Sequence, residues 1–483
     1  MDSSTRGFGR EGGEKVSAPP VGVKAVIKEV LRTRSGVAAF ILLALIIGMA
    51  VITPFYAPYN VVKTWNDPKA WVLNPRSAAP EWVEFFYGKR MPRTIILERA
   101  DFKKSYTTLT SQQVTIKKIN LRASFNYQYD DFPSEFKIVL NASTSKSIRV
   151  DLSLTRPDGD KVALISTSLS SENPTLTLDS GGDEMKKAAE QYVLSVTGNR
   201  SSIILPQVVF FAQKGENIGS PSGAEVLKGR YRITAECVTT DVNGDVDIQF
   251  IAYGRVFGLA GTDSKRRDLL VGILWGAPVA LAFGLIAAVA VTLIQMFFGV
   301  ISGYFGGKTD VLIQRVAELM MIIPFLPILI LVSFIYKTTI WTLLAIIVGL
   351  SLVGSTTKVI RSMVPQIKEE QYILAAISYG ASSWRIIFRH IIPRVLPYTL
   401  SIIAMAVPSY IFLEAALSFL GLGDPVLPTW GKILGDAQAA GAAYHGYWWW
   451  VLIPAGCIGV TAAAFALLGY AFDRIVNPRL REM

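Results

Sequence analysis

The sequence predicts an α-helical polytopic membrane protein with six transmembrane helices and an inserted extracytoplasmic all-β domain. Three observations predict it. Apolar runs at 36–57 and repeatedly over 272–470 are nearly free of charge over the ~20 residues a helix needs to cross a bilayer core about 30 Å thick. Residues 100–255, by contrast, carry the Asp, Ser, Thr, Lys and Gly content of a water-soluble domain. Lysines and arginines gather beside the ends of the apolar runs, as in cytoplasmic segments. The 483 residues are 51% hydrophobic, and their mean hydropathy of +0.38 averages these two populations. The net charge of +11 follows from the same bias, and no basic patch interleaved with aromatics points to nucleic acid.

Residues 1–34 form a Gly/Ser-rich cytoplasmic tail with Arg6, Arg10, Lys15, Lys24, Lys28, Arg32 and Arg34. The apolar run after it is too long for a signal-peptide core, so 35–58 is expected to stay as the first transmembrane helix. It closes on Pro54, Pro58 and the interfacial pair Phe55-Tyr56. Residues 59–105 read as an extracytoplasmic irregular segment, and 106–258 as an extracytoplasmic β-sandwich-like domain. FKIVLNAS, SIRVDLSLTRPDG, KVALIST, YRITAECVTT and DVDIQFIAYG alternate with period two and are punctuated by turns. Asn243-Gly244 between the last two predicts a hairpin. The surrounding DVNGDVD spaces its acids like a calcium loop but lacks the later glutamate, and a hairpin accounts for it. Asn141-Ala-Ser and Asn199-Arg-Ser match glycosylation acceptors. Cys237 and Cys457 are expected on different sides of the membrane boundary, so no disulfide framework is expected. Residues 259–483 carry five further spans, near 272–302, 316–336, 338–357, 397–420 and 448–470.

A cytoplasmic N-terminus places 303–315, 358–396 and 471–483 inside as well. Those segments hold Lys308, Arg315, Lys358, Arg361, Lys368, Arg385, Arg389, Arg394, Arg474, Arg479 and Arg481, while the short outer loops hold little beyond Lys337 and Lys432. The expected location is the plasma membrane, with both termini cytoplasmic and 59–271 largely extracytoplasmic.

The inner loop 358–396 contains LAAISYGASSWRIIFRHIIPRVLP. Gly380 and Pro393 are costly inside helices, which predicts helix, turn, helix. The first piece offers small Ala375 and Ala376 for close approach. The second sets Trp384, Ile387, Phe388 and Ile391 on one face and Arg385 and Arg389 on another, as in helices that lie on membranes or fill a partner's groove. A segment that merely caps the bundle fits equally well.

Other signals are weaker. SGYFGGKT at 302–309 lacks the first glycine of a phosphate-binding loop and follows an apolar helix, so its glycines predict a tight cytoplasmic turn. Glu318 and Glu414 fall in apolar runs, where an ion must be paired or face a cavity. Pro324, Pro327 and Pro408 interrupt spans, either as packing kinks or by freeing carbonyls that line a pathway. His390 and His445 have no neighbouring ligands or nucleophile, so no metal, cofactor or catalytic residue is expected. His445 lies beside Trp448, Trp449 and Trp450, a tryptophan run suited to the interface.

Five stretches resemble the permease subunits of ABC importers. Leu374-Ala375-Ala376, Gly380 and Ile391-Ile392-Pro393 follow that family's EAA-x3-G and I-x-L-P loop, with Leu374 where the acid is usual. GTDSKRRDLL (261–270) resembles GTDxxGRDxL of the dipeptide/oligopeptide branch, with Lys265 or Arg266 where glycine is usual. GYFGGKTD (303–310) is similar to its GYxGGxxD turn, built here on Gly303, Gly306, Gly307 and Asp310. SYIFLEAALSFLGLGDPVLPTWGKIL (409–434) and LLGYAFDRIVNPRL (467–480) are similar to two further stretches of that branch. The resemblance spans about 1–60 and 255–483 and leaves 106–255 without a counterpart.

The resemblance implies an ABC importer type I permease-like fold and a transport subunit that is not an enzyme. It implies a second homologous permease subunit, one or two ATP-binding ABC subunits inside, and an extracellular solute-binding protein. It further implies that Leu374, Ala375, Ala376, Gly380, Ala381, Trp384 and Pro393 form the ATPase-coupling element. Glu414, within the similar 409–434 stretch, is expected to gate the pathway or to pin the bundle by pairing, and the span-interrupting Pro324, Pro327 and Pro408 are expected beside it at a translocation pathway or gate. Small peptides are the first expected substrate; oligosaccharides or nickel complexes are the alternative. The β domain either docks the binding protein or shields the entrance. A receptor or assembly protein with an outer β sensor would need an internal signalling domain, for which the inner segments are short. A lone ion-coupled carrier would favour repeated spans and more buried charge.

Overall fold

The computed structural model describes residues 30–111, 114–199, 204–215, 218, 223–336 and 339–476. Most of the expected tail (1–29), Lys337, Arg479, Arg481, and Arg200 and Ser201 of the second acceptor triplet lie outside the described residues. The chain divides into a unit of 53–276 with 425–455, and a unit of 1–52, 277–424 and 456–483.

The first unit holds the β region. One antiparallel sheet has the order β1 (Ile95–Leu97), β9 (Asp245–Tyr253), β4 (Glu135–Ser143), β7 (Thr175–Asp179). The other runs β2 (Lys103–Ser111), β3 (Val114–Tyr127), β8 (Gly229–Thr239), β5 (Ile148–Thr155), β6 (Lys161–Leu169). Alternation decides how the sheets meet. Phe136, Ile138, Leu140, Ile248 and Phe250 of the first sheet and Ile119, Leu121, Val150, Leu152 and Ile233 of the second enter one core, the arrangement of a β-sandwich.

All five segments predicted as strands are strands. Two expectations need correction. The 59–105 segment is not irregular throughout, because it contains β1 and the start of β2. The Asn243-Gly244 turn makes no hairpin: β8 pairs with β3 and β5, whereas β9 pairs with β1 and β4. Each strand has its own buried face, and a connection across the sandwich buries both. Asp241 builds that crossing by accepting bonds from Thr144 Oγ1 at 2.9 Å, Ser145 N at 2.7 Å and Asn243 N at 3.0 Å. These donors hold its carboxyl well below the usual carboxylate range.

The region is also not purely β. A helix, α2 (Asp183–Thr197; α1 is Arg34–Tyr56), buries Met185, Ala188, Ala189, Tyr192 and Val193 in the sandwich core. Their i, i+3, i+4, i+7, i+8 spacing is a helical stripe, and Gly198 at φ +71° ends it.

The GTDSKRRD stretch is a tight loop in the same unit. Thr262 Oγ1 donates to the Pro75 carbonyl at 2.8 Å, and buried Arg267 pairs with Asp263 and, at 2.6 Å, with Asp436. Arg266 stands where the resemblance has glycine, and its φ is +67°. That conformation costs a non-glycine residue ~1 kcal/mol or more. Its side chain makes compensating contacts: Nη1 donates to the Asn74 carbonyl at 2.7 Å, Nη2 pairs with Glu135, and the guanidinium lies 4.0 Å from the centre of the Tyr253 ring.

The helices are α3 (Leu269–Phe305), α4 (Gly307–Ile322), α5 (Phe325–Tyr336), α6 (Ile340–Leu350), α7 (Ser355–Lys368), α8 (Gln371–Ser378), α9 (Ser383–Ile386), α10 (Ile392–Phe419), α11 (Trp430–Ala439) and α12 (Trp448–Val476). Among the described residues, four continuous helices are long and apolar enough to cross a membrane: α1, α3, Ser383–Phe419 and α12. The pairs α4/α5, bent by 73°, and α6/α7, bent by 43°, raise the count to six if each is one broken span. Pro324 causes the first bend. It disfavours helix at Ile323, whose ψ is 127°.

Candidate functional site: a short exposed helix on an isoleucine platform

The segment around 371–393 rests on a cluster of buried apolar side chains. Ile360, Val364 and Ile367 of α7 meet Val300 of α3, Ile386 and Ile387 at the end of α9, and Val395 of α10. Helix α8 joins this platform through one residue, Ile373, which is 0% exposed and the only buried residue of the helix. The other side chains face outward: Leu374 is 51% exposed, Ala375 is exposed and Ala376 half-buried.

Both ends of α8 are held. Gly380, at φ +77°, closes the C-terminus: its N–H donates to the Ile377 carbonyl at 2.9 Å and the Ala381 N–H to the Ala376 carbonyl at 3.1 Å. This is a Schellman cap, whose left-handed residue favours glycine. At the other end Glu370 lies 3.7 Å from Arg394 of α10. Burial, and next the Glu370 charge, hold the Tyr372 phenol above its ordinary value.

The expected turn at Gly380 is present, but the second helix differs from expectation. It runs on through Pro393 as one helix, Ser383–Phe419, rather than ending at the proline. Pro393 has no N–H, and its ring would press on the carbonyl four residues earlier. A π turn at Ile387–Ile391 occupies those positions, and its wider winding accommodates the ring. The predicted apolar face therefore divides: Ile387 and Ile391 are buried, whereas Trp384 is 50% exposed and Phe388 is exposed. Those two rings stack at 6.0 Å, and Phe297 stacks on Trp384 at 6.4 Å. The boundaries at 358 and 396 fall within α7 and α10.

The predicted glycine turn is partly corrected. Gly306 and Gly307, at φ +62° and +53°, make it. Gly303 lies within α3 and serves packing: a β-carbon there would stand 2.6 Å from Val364 Cβ and 2.9 Å from the Arg361 carbonyl. Asp310 ties three elements together. It pairs with Arg361 of α7, with Nε at 3.0 Å, and accepts a bond from Ser302 of α3, which itself accepts from Gln314 at 3.0 Å.

Among the expected pathway residues, only Pro324 breaks a helix. Pro327 sits in the first turn of α5, where a missing N–H costs little, and Pro408 lies inside the continuous α10. Glu414 is buried and accepts from Ser418 Oγ at 2.6 Å. Glu318 is not buried and pairs with Arg315 at 3.0 Å and Lys358 at 3.3 Å. None of these five lines the cleft of about 520 Å³ in this unit. Its polar walls come from Thr292 and Gln295 of α3, Ser351 and Ser355 at the α6–α7 break, and Ser409 and Tyr410 of α10. Gln295 Nε2 donates to the Ser351 carbonyl at 2.9 Å, fastening that break to α3. The cleft had one signal in the sequence: Met405, Ser409, Tyr410 and Leu413 share a face of α10 beside Pro408.

Residues 295–482 match the family described as "Binding-protein-dependent transport system inner membrane component". Over 225 residues the chain is 34% identical to the oligopeptide transport system permease protein OppC of Bacillus subtilis, covering 46% of this chain and 72% of that one. It is 33% identical to the dipeptide transport system permease protein DppC of the same organism, covering 46% and 69%. To the glutathione transport system permease protein GsiD of Pectobacterium atrosepticum the identity is 30%, covering 46% and 73%.

Proposed function

This chain belongs to the binding-protein-dependent transport permease family, and from that premise we propose that it is the transmembrane subunit of an ABC importer for small peptides. The family is one of transport components rather than enzymes. Oligopeptide, dipeptide and glutathione permeases among the relatives put small peptides ahead of oligosaccharides or nickel complexes. In this reading the bent pairs α4/α5 and α6/α7 each count as one span, giving six. The basic segments, the glycine turn and α8 face the cytoplasm, and the β region faces outward.

One observation carries the proposal: α8 is capped at its end, buried through Ile373 alone, and exposes Leu374 and Ala375. A helix so presented suits docking into a groove on a partner, here one of the ATP-binding subunits. Coupling needs a discrete two-state element whose position both sites bias. Closure of the ATPase pair would move α8, and the shared platform would pass that motion to α3, α7 and α10. Gly380 and Ala381 keep the lever's end shaped, Trp384 braces the following turn, and Pro393 with its π turn joins lever to span. Pro324, Pro327, Pro408 and Glu414 shape the gate from behind the polar cleft. A second permease chain completes the pathway, and an extracellular solute-binding protein delivers substrate to it.

Disulfide or bifunctional cross-linking tests this reading. Cysteines at Ala376 or Ser383 are expected to trap an ATP-binding subunit from the cytoplasmic side, and Ala376→Arg is expected to abolish uptake while the chain still inserts. Labelling of both positions from outside the cell, or full uptake by Ala376→Arg, would overturn it.

A further inference from the structure

The β-bearing unit exposes an aromatic ridge in the stretch WVEFFYGKR, 82–90. Phe85 is 87% exposed, Phe86 74% and Tyr87 61%, and Leu259 beside them is 67% exposed. The ridge has a defined shape. Trp82 Nε1 donates to the Leu259 carbonyl at 2.9 Å, the Trp82 and Phe86 rings meet edge-on at 6.1 Å, and Phe85 and Phe86 at 5.7 Å. Gly88, at φ +62°, turns the chain away from it. Contiguous apolar surface of this kind on a water-facing domain marks a contact site.

Its position indicates what covers it. Trp82 lies 5.5 Å, edge to face, from Trp448, the first residue of the membrane-crossing helix α12. In the same unit the ends of two other spans carry tryptophan and tyrosine anchors. Trp275 of α3 donates to the Ala57 carbonyl at 2.8 Å, and Tyr56 at the end of α1 donates to Asp268 at 3.3 Å. Such a girdle sits where headgroups meet acyl chains, and the ridge continues it sideways. The charge pattern agrees. Glu81 and Glu84 turn back onto Arg93, at 3.2 and 3.8 Å, and Asp130, which accepts from the Arg90 N–H at 2.8 Å, pairs with Lys228, so exposed Lys89 and Arg90 are the cations beside the aromatics, the charge that lipid phosphates attract.

We propose that residues 82–90 form an interfacial anchor that dips into the adjoining leaflet, with Phe85, Phe86 and Tyr87 at the acyl boundary and Lys89 and Arg90 on lipid phosphates. The β sandwich is thereby held against the bilayer at a point other than its chain connections. The inference depends only on α12 crossing the membrane, whichever side the β region faces.

The test uses the full chain in proteoliposomes, with Phe86→Cys and, as a second site, Tyr87→Cys, each carrying an environment-sensitive fluorophore. The signal of the unsubstituted chain, whose Cys237 is buried, is subtracted. Tyr106→Cys on exposed β2 is the aqueous control. Blue-shifted emission at 86 and 87, quenched several-fold more by shallow nitroxide lipids than at 106, is expected. Water-like emission quenched by iodide as strongly as at 106 would overturn the anchor. So would a label that stays aqueous in lipid and becomes shielded only when a solute-binding protein or another protein is added.

Discussion

Replacing Ile373 with alanine removes the one side chain through which α8 is buried, and the structure sets the size of the effect. Ile373 is fully enclosed by the platform, and burying an isoleucine side chain is worth about 1.5–3 kcal/mol. Eight residues are too few for a helix to persist without tertiary contact, so undocking and fraying of α8 are one event. Losing that contribution raises the undocked population roughly 10- to 150-fold. Ile373→Val, at about 1 kcal/mol, raises it only about fivefold. Amide hydrogen exchange on the full chain in lipid nanodiscs reads this directly. Protection at Gly380 and Ala381, whose N–H groups close the cap, is expected to fall in that order, while the sandwich strands keep theirs. In the assembled transporter, uptake is expected to fall with the same ranking and ATP hydrolysis to become less dependent on substrate. Unchanged protection at Gly380 in Ile373→Ala would refute the single-pin account. Loss of protection throughout the chain would also refute it, since the residue would then support the fold rather than the lever.

Other perturbations probe separate parts. Gly380→Pro removes the N–H that closes the Schellman cap, and transport is expected to be lost while membrane insertion, read by protease protection, persists. Gly303→Val forces a β-carbon against Val364 and the Arg361 carbonyl, an overpacking cost of about 1–3 kcal/mol that is expected to show as a lower melting temperature in detergent. Arg266→Gly relieves a left-handed arginine but removes its bonds to Asn74 and Glu135; faster exchange at the start of β4, with the membrane helices unchanged, is the expected balance. The folded-state pKa of Asp241 is depressed, so its contribution is complete above the ordinary carboxylate value of about 3.9 and is lost as pH falls below it. Amide protection at Ser145 and Asn243 is expected to decline only in strong acid, and Asp241→Ala is expected to lower it at neutral pH and abolish the acid step.

What could be read in the chain without coordinates was whatever depends on local order. Charge-free runs of bilayer length, period-two alternation in five strands and the glycine at 380 each state a requirement of their own neighbourhood. The α2 stripe from Met185 to Val193 is equally legible, a helical period set among strands. The Ile373 anchor was not, because QYIL looks alike on all sides until α7, α9 and α10 supply the platform that selects one face. Gly303 likewise reads as part of a turn until Val364 comes to lie against it.

The amino-acid order by itself determined which segments avoid water, which alternate, and where backbone conformations out of reach of most residues must occur. Only the tertiary structure decided that β8 and β9 belong to opposite sheets, that the helix continues through Pro393, and that Arg266 occupies a position suited to glycine. In each case residues distant in sequence supply the deciding energy: a second buried face, a widened helical turn, or a carboxylate and a ring that offset backbone strain. Such terms exist only once those groups are brought together.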